Sequence, residues 1–431
     1  MLIFLAFAPL LSDVQPQWLP IMVGAALCAY SGQYRGYALT ATTLTVIGLN
    51  TSWFGLWPFE PGEALLRGTW LAFALGYLQL AYRRPTWFIA RRPVITLLGL
   101  ICVLAGIANL SDASDRAQGP LWQFILLLVS YLWFMAYALA DQRARARSPL
   151  YFQVGTLHPF WGSTDTPYGK GAAYLRRTSA RTPEDLAITQ LKAVKLLYWA
   201  YVLSTLDRLL ARLITGQLDV PPLEIVQAAA AAGQPMPIVL GWAALGWAVA
   251  DQTIGLAVFG HQVVATARLA GFRLQRNTWR PLGSRTLADF WNRYYFYFKE
   301  LLVDFFFYPT FLTTLRGWPR LRLFAATFMA AGVGNAIYHF VKHIDDVASV
   351  GLGKALVDFE SYLLYCAVLA TGIGLSQARN HSRRLSMSLC GRLWSFACVW
   401  SFVVCIHVFG IETNTFPLAE RLRFMASLFG G

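Results

Sequence analysis

His339 lies deep inside an apolar run, FMAAGVGNAIYHFVKH, and its type and setting suit it to take a proton from a hydroxyl. Imidazole is the side chain whose ordinary proton affinity falls nearest neutrality, and an ionisable residue inside a membrane span is a functional candidate by default. The alternative is a histidine hydrogen-bonded across helices for packing. Upstream, TLADFWNRYYFYFKELLVDFFFYPTF threads Asp289, Asn292, Arg293, Lys299, Glu300 and Asp304 through a run of aromatics. Asn292, Tyr295 and Asn335 are hydrogen-bond donors suited to charge developing beside such a base. Glu300 and Asp304 share a helix face, where they either orient a substrate or are satisfied by Arg293 or Lys299. His339 and His343 are one turn apart with Asp346 just beyond, but the spacing fixes no third ligand, so no metal is assigned.

The elements that position these residues begin at Thr286. Thr286 followed by Asp289 is a helix-start signal, the hydroxyl capping a free N–H while the carboxylate reaches back, so a helix is expected from Leu287 until Pro309 stops the pattern. Its charges do not suit lipid. The segment is expected at the membrane interface, or re-entering the bilayer inside protein. Gly332 and Gly334 read as a close-packing surface between helices.

The composition sets the wider frame: 56% of the 431 residues are apolar and 13% charged, where soluble proteins have about 25% charged. The expected fold is all-α, a polytopic integral membrane protein with about 10–12 transmembrane helices plus re-entrant or interfacial helices. The net charge of +14 sits in short Arg and Lys clusters between apolar runs, a pattern of membrane orientation and not of nucleic acid. Cys28, Cys102, Cys366, Cys390, Cys398 and Cys405 form no CxxC pair, so they read as small core residues.

Along the chain, residues 1–141 are read as N-terminal helices, opening with MLIFLAFAPLL, which is short for a span and has no basic leader. Residues 142–182 form a cytoplasmic loop, rich in Gly, Pro and Thr, that is either functional or a solvated basic loop near anionic lipid heads. Residues 183–285 are read as middle helices: TPED starts a long one, 216–236 is an external loop with a short helix, and the arginines from Arg268 to Arg285 make an interfacial segment. The expected catalytic core is 286–344, and 345–431 are C-terminal helices, all within one membrane domain. The arginine clusters at 83–92, 143–181, 268–285 and 379–384 are expected on one side, in the cytoplasm. That parity puts His339 in the outer half of the bilayer.

Phe290, Trp291, Arg293 and Tyr294, then an aromatic helix ending in Tyr308-Pro309, then Tyr338-His339 in a Gly-rich helix, resemble the membrane-bound O-acyltransferase family. In its bacterial branch, the members that modify cell-surface polymers carry motifs like FW-x-R-W-H and W-H-G. Tyr295 stands where those relatives have histidine, Tyr replaces Trp twice, and Phe340 stands where Gly is usual. The resemblance is strong over the last third of the chain. It implies transfer of an acyl group from a thioester to a hydroxyl of a saccharide, lipid or small metabolite, in a multi-pass protein of the plasma (inner) membrane. His339 is then the general base, with Tyr295 and Asn292 beside it, and Trp291, Arg293, Asn335, Tyr338, Glu300, Asp304 and His343 bind substrate. No bound cofactor is implied; acyl-CoA or an acyl-carrier thioester is the co-substrate. The partners are membrane lipids, the acyl donor, a hydroxyl acceptor and a possible protein partner. Two other classes are weighed: an inactive member serving as a membrane partner subunit, consistent with Tyr295, and a transporter or lipid-handling protein, for which no internal repeat is seen.

Overall fold

The apolar runs fold as helices, as they must where backbone N–H and C=O groups have no water to pair with. The structure is a computed structural model that describes residues 18–49, 61–110, 119–143, 147–162, 166–378, 388–410 and 416–431. The first apolar run, the loops 50–60 and 111–118, and the basic loop 379–387 lie outside the described residues. Among the described residues there is no strand beyond one isolated antiparallel bridge, Ser179 with Phe272.

Among the described residues, four helices are long and apolar enough to cross a membrane: Pro183–Gln217, Ile238–Leu269, Pro319–Lys342 and Leu389–His407. Two bent pairs, Pro120–Ser130 with Leu132–Asp141 at 58° and Leu352–Asp358 with Glu360–Gln377 at 53°, bring the number to six if each is one broken span. The chain is thus a multi-pass membrane protein. The larger number expected from the apolar runs is not reached among the described residues. One of those runs, Pro93–Asn109, folds as a helix of 17 residues, short of the roughly 20 that a bilayer requires.

The chain forms two compact units, Met1–Tyr201 with Phe259–Arg276 and Val202–Val258 with Asn277–Gly431. The first contains α1 (Trp18–Tyr30), α2 (Arg35–Leu49), α3 (Pro61–Arg83), α4 (Pro93–Asn109), α5 (Pro120–Ser130), α6 (Leu132–Asp141), α7 (Leu150–Val154), α8 (Ala172–Thr178) and the start of α9 (Pro183–Ala211). α3 and α4 pack on the bent pair α5 and α6, and every residue of α6 from Leu132 to Leu139 is buried.

The solvated-loop reading of 142–182 does not hold. Phe152, Leu157, Phe160, Trp161, Tyr168 and Leu175 are all buried, since the Gly, Pro and Thr residues between them supply turns that fold these apolar side chains inward. The threonines of α2 fasten the segment: Thr40 Oγ1 donates to the Tyr151 carbonyl and Thr43 Oγ1 to that of Gly155, each at 2.7 Å. The Trp161 indole N–H donates to the Tyr168 carbonyl at 3.1 Å. α1 comes so close that a Cβ on Gly24 would lie 2.8 Å from the Phe160 ring.

The basic segment from Arg268 also divides. Arg268 is buried, donating to the Leu274 carbonyl through Nε and Nη2 at 2.9 and 2.6 Å, while Arg273 stays exposed and pairs with Asp185 at 3.3 Å. Its backbone amide, instead, joins Thr178. The Leu274 carbonyl satisfies donors of the buried Arg268 guanidinium without cancelling its charge.

The second unit holds α10 (Leu223–Ala231), most of α11 (Ile238–Leu269), α12 (Leu287–Tyr294), α13 (Phe296–Leu302), α14 (Tyr308–Thr313), α15 (Pro319–Phe328), α16 (Asn335–Lys342), α17 (Ile344–Val350), α18 (Leu352–Asp358), α19 (Glu360–Ala378), α20 (Leu389–His407) and α21 (Leu418–Ser427). α10 is the short helix expected in 216–236. Around α19 pack α12, α15, α16 and α20. A π-helical turn at Met329–Gly334 joins α15 to α16, and another at Val303–Phe307 joins α13 to α14. These two turns touch each other and glycine permits it: a Cβ on Gly334 would lie 2.7 Å from the Phe306 ring. Of the cysteines, Cys28 and Cys366 are core residues as expected, but Cys102, Cys390 and Cys398 are exposed.

Candidate functional site

The site elements start where expected. Thr286 Oγ1 accepts the Asp289 amide at 3.1 Å, and the Asp289 carboxylate reaches back to the Arg285 amide at 3.2 Å. Past that cap the single helix expected up to Pro309 is broken at Tyr295, whose φ and ψ of −140° and 82° are not helical. A strap at 277–279 makes the break affordable by serving both loose helix ends. At the end of α12, the Trp279 amide donates to the Arg293 carbonyl (2.8 Å) and Thr278 Oγ1 to that of Tyr294 (2.9 Å). At the start of α13, the Phe296 and Tyr297 amides donate to the Asn277 backbone and side-chain oxygens at 2.9 and 3.3 Å.

Pro309 does not stop the helix either. It falls in the first turn of α14, just after the Tyr308 amide has bonded five residues back to Val303. The wider π turn absorbs the missing proline N–H, so the helical course continues to Thr313.

Within this unit Trp291, Asn292 and Asn335 come together around a cavity of about 170 Å³, with Phe298, Lys299 and Thr327. Gln377 lines it too, its Oε1 accepting from Thr327 Oγ1 at 2.6 Å. Two buried polar atoms on the wall have no protein partner, the donor Trp291 Nε1 and the acceptor Asn335 Oδ1. Leaving such a group unpaired costs about 1–3 kcal/mol.

His339 is one helical turn beyond Asn335 on α16, outside the cavity lining. Its ring is half-buried in an aromatic cage, with centroids 4.6 Å from Tyr362, 4.9 Å from Tyr338 and 5.6 Å from Phe298. Phe298 connects the parts: it lines the cavity, and its centroid is also 5.5 Å from that of Tyr295. The expected triad of His339, Tyr295 and Asn292 is therefore gathered around Phe298, with only Asn292 on the cavity itself.

The remaining expected residues divide. Tyr338 is buried against Phe298 at 4.6 Å. Arg293 is held by Asp289 at 2.8 Å and lies over the Trp279 ring at 5.4 Å, which makes it a brace for α12. Glu300 pairs with Lys299, the satisfied alternative. Asp304 lies in the first π turn and His343 at the α16–α17 junction, and neither lines the cavity. Among the described residues no group of three His, Cys, Asp or Glu could hold a metal.

Sequence reasoning passed over His158, in the buried segment of the first unit. It is 5% exposed, with Tyr131 and Phe134 edge-on to its ring, and its Nδ1 has no protein partner. Burial pushes its pKa down to about 4. The signal was in HPFWG, a histidine set among aromatics in a loop otherwise read as polar. Thr327 and Gln377 were also missed, because only the packing of α15 on α19 makes them face the same space. Compared with known proteins, the chain matches no family model and no curated sequence.

Proposed function

We propose that this chain is a membrane-bound O-acyltransferase, moving an acyl group from a thioester donor, acyl-CoA or an acyl-carrier protein, to a hydroxyl of a saccharide, lipid or small metabolite at the plasma (inner) membrane. The observation that carries the reading is the cavity wall in which Trp291 Nε1 and Asn335 Oδ1 are buried without partners, one helical turn from His339. In the reaction, the His339 imidazole takes the acceptor's proton as its oxygen bonds to the thioester carbonyl carbon. The carbonyl oxygen becomes an oxyanion, which the Trp291 indole, Asn292 amide or Tyr295 hydroxyl can bind. The C–S bond then breaks, and the leaving thiolate recovers the proton from the imidazolium.

The cavity is close in size to one of about 150 Å³ that holds benzene, which favours a short acyl chain. A second reading, a partner subunit without catalysis, is favoured by His339, which is not among the residues lining the cavity, and by Tyr295 in the place of histidine.

The test is transfer from a labelled acetyl thioester of coenzyme A to a panel of hydroxyl acceptors by purified protein. His339→Ala should lose transfer by about 10²–10⁴-fold, Tyr295→Phe by about a hundredfold, and Tyr295→His should be tolerated. Full product from His339→Ala would replace the enzyme with the partner subunit.

A further inference from the structure

The first unit buries a positive charge that no carboxylate neutralises. Arg35, at the start of α2, is 6% exposed. Its Nε donates to the Cys28 carbonyl at 2.9 Å and its Nη1 to the Ala180 carbonyl at 2.7 Å. One face of the guanidinium lies against Gly271, where a Cβ would come 2.8 Å from Cζ, and the Phe272 ring centroid is 5.9 Å away. Among the described residues no Asp or Glu pairs with it, and Nη2 donates to no protein acceptor. Two carbonyls orient the group but do not cancel its charge, and a buried charge left so is costly unless an anion joins it.

Arg35 lines a cavity of about 660 Å³, within the range of small-molecule sites. Arg176 and Arg181, both exposed, stand at its rim with Tyr151, and no acidic residue is among its lining residues. The nearest acids in sequence are Glu184, exposed and hydrogen-bonded with Thr182, and Asp185, whose carboxylate is engaged by the Arg181 amide and by Arg273. Three guanidinia around one hollow, one of them buried, oriented and with a free N–H, match the geometry of phosphoryl oxygens better than that of a single carboxylate.

We propose that this cavity binds a phosphoryl-bearing ligand, with Arg35 on its floor holding a phosphate oxygen through Nη2 and Arg176 and Arg181 closing on the same group. The ligand is either a soluble phosphate ester or diphosphate, or the headgroup of an anionic phospholipid. The inference uses only the first unit and does not depend on acyl transfer.

Two arms distinguish the sources. In detergent, inorganic pyrophosphate is titrated at constant ionic strength and the thermal midpoint followed. In nanodiscs of phosphatidylcholine with a minor share of phosphatidylglycerol, native mass spectrometry counts the lipid retained. Arg35→Gln tests the floor, and because it can fail to fold, Arg176→Gln with Arg181→Gln tests the exposed rim. A midpoint raised by pyrophosphate, with apparent affinity falling about tenfold or more in the rim variant, assigns a soluble ligand. Preferential retention of phosphatidylglycerol, lost in the rim variant, assigns a lipid. If pyrophosphate shifts nothing and both lipids are retained alike, or if the rim variant responds as the wild type does, the proposal is overturned.

Discussion

Residues 148–181 and 286–343 make an instructive pair. Both mix polar residues with aromatics and both border a hollow, yet they settle the buried indole N–H of a tryptophan differently. In the first, Trp161 has its indole N–H on a backbone carbonyl and two rings against it, Phe160 at 5.2 Å and Phe272 at 5.3 Å. In the second, Trp291, a lining residue of the 170 Å³ cavity, has a buried indole N–H with no protein partner. A satisfied polar group reports packing. An unsatisfied one carries a cost of about 1–3 kcal/mol, borne by Trp291 Nε1 in the second region and by His158 Nδ1 in the first.

The comparison is broken most decisively at Trp161. Trp161→Ala should destabilise the protein by about 3–5 kcal/mol, read as a large fall in the thermal midpoint in detergent, whereas a solvated loop would lose almost nothing.

Next in size is the acid response of His158. Its folded pKa of about 4 lies below its ordinary value of 6.5, so between these values the unfolded chain binds the extra proton. Stability is whole above pH 6.5 and declines as pH falls towards 4, at up to about 1.4 kcal/mol per pH unit and about 3 kcal/mol in all. Thermal midpoints across that window should fall steeply in wild type and less in His158→Phe. Equal slopes would refute the assignment.

A smaller loss is expected at the contact of the two π turns. Gly334→Ala places a Cβ against the Phe306 ring and should cost about 1–3 kcal/mol, with the wild-type midpoint regained in Gly334→Ala with Phe306→Leu. The smallest stability effect sharpens the contrast instead. Asn335→Leu removes an unpaired buried acceptor, so the thermal midpoint should hold or rise slightly, while transfer should fall by about tenfold or more. A large loss of stability with transfer intact would make Asn335 a packing residue.

Much of this could be read from the chain. The Thr286 cap was legible because Thr and Asp at that spacing satisfy helix-end amides locally, and Gly332 and Gly334 were legible as contact residues because little else lets helices approach so closely. The break at Tyr295 was not, since the strap that supports it comes from Asn277, Thr278 and Trp279, more than a dozen residues away. The helical passage through Pro309 was missed because a π turn is set by packing against Met329–Gly334 and has no local signature.

What the sequence by itself determined is the solvent each segment meets: long apolar runs broken by arginines make membrane helices, because a backbone in lipid has no other way to pair its polar groups. What only the tertiary structure decided is which polar groups are left over. Trp291 and Asn335 line one hollow, and Arg35 has no counter-charge among the described residues, because pairing depends on neighbours that long-range packing supplies.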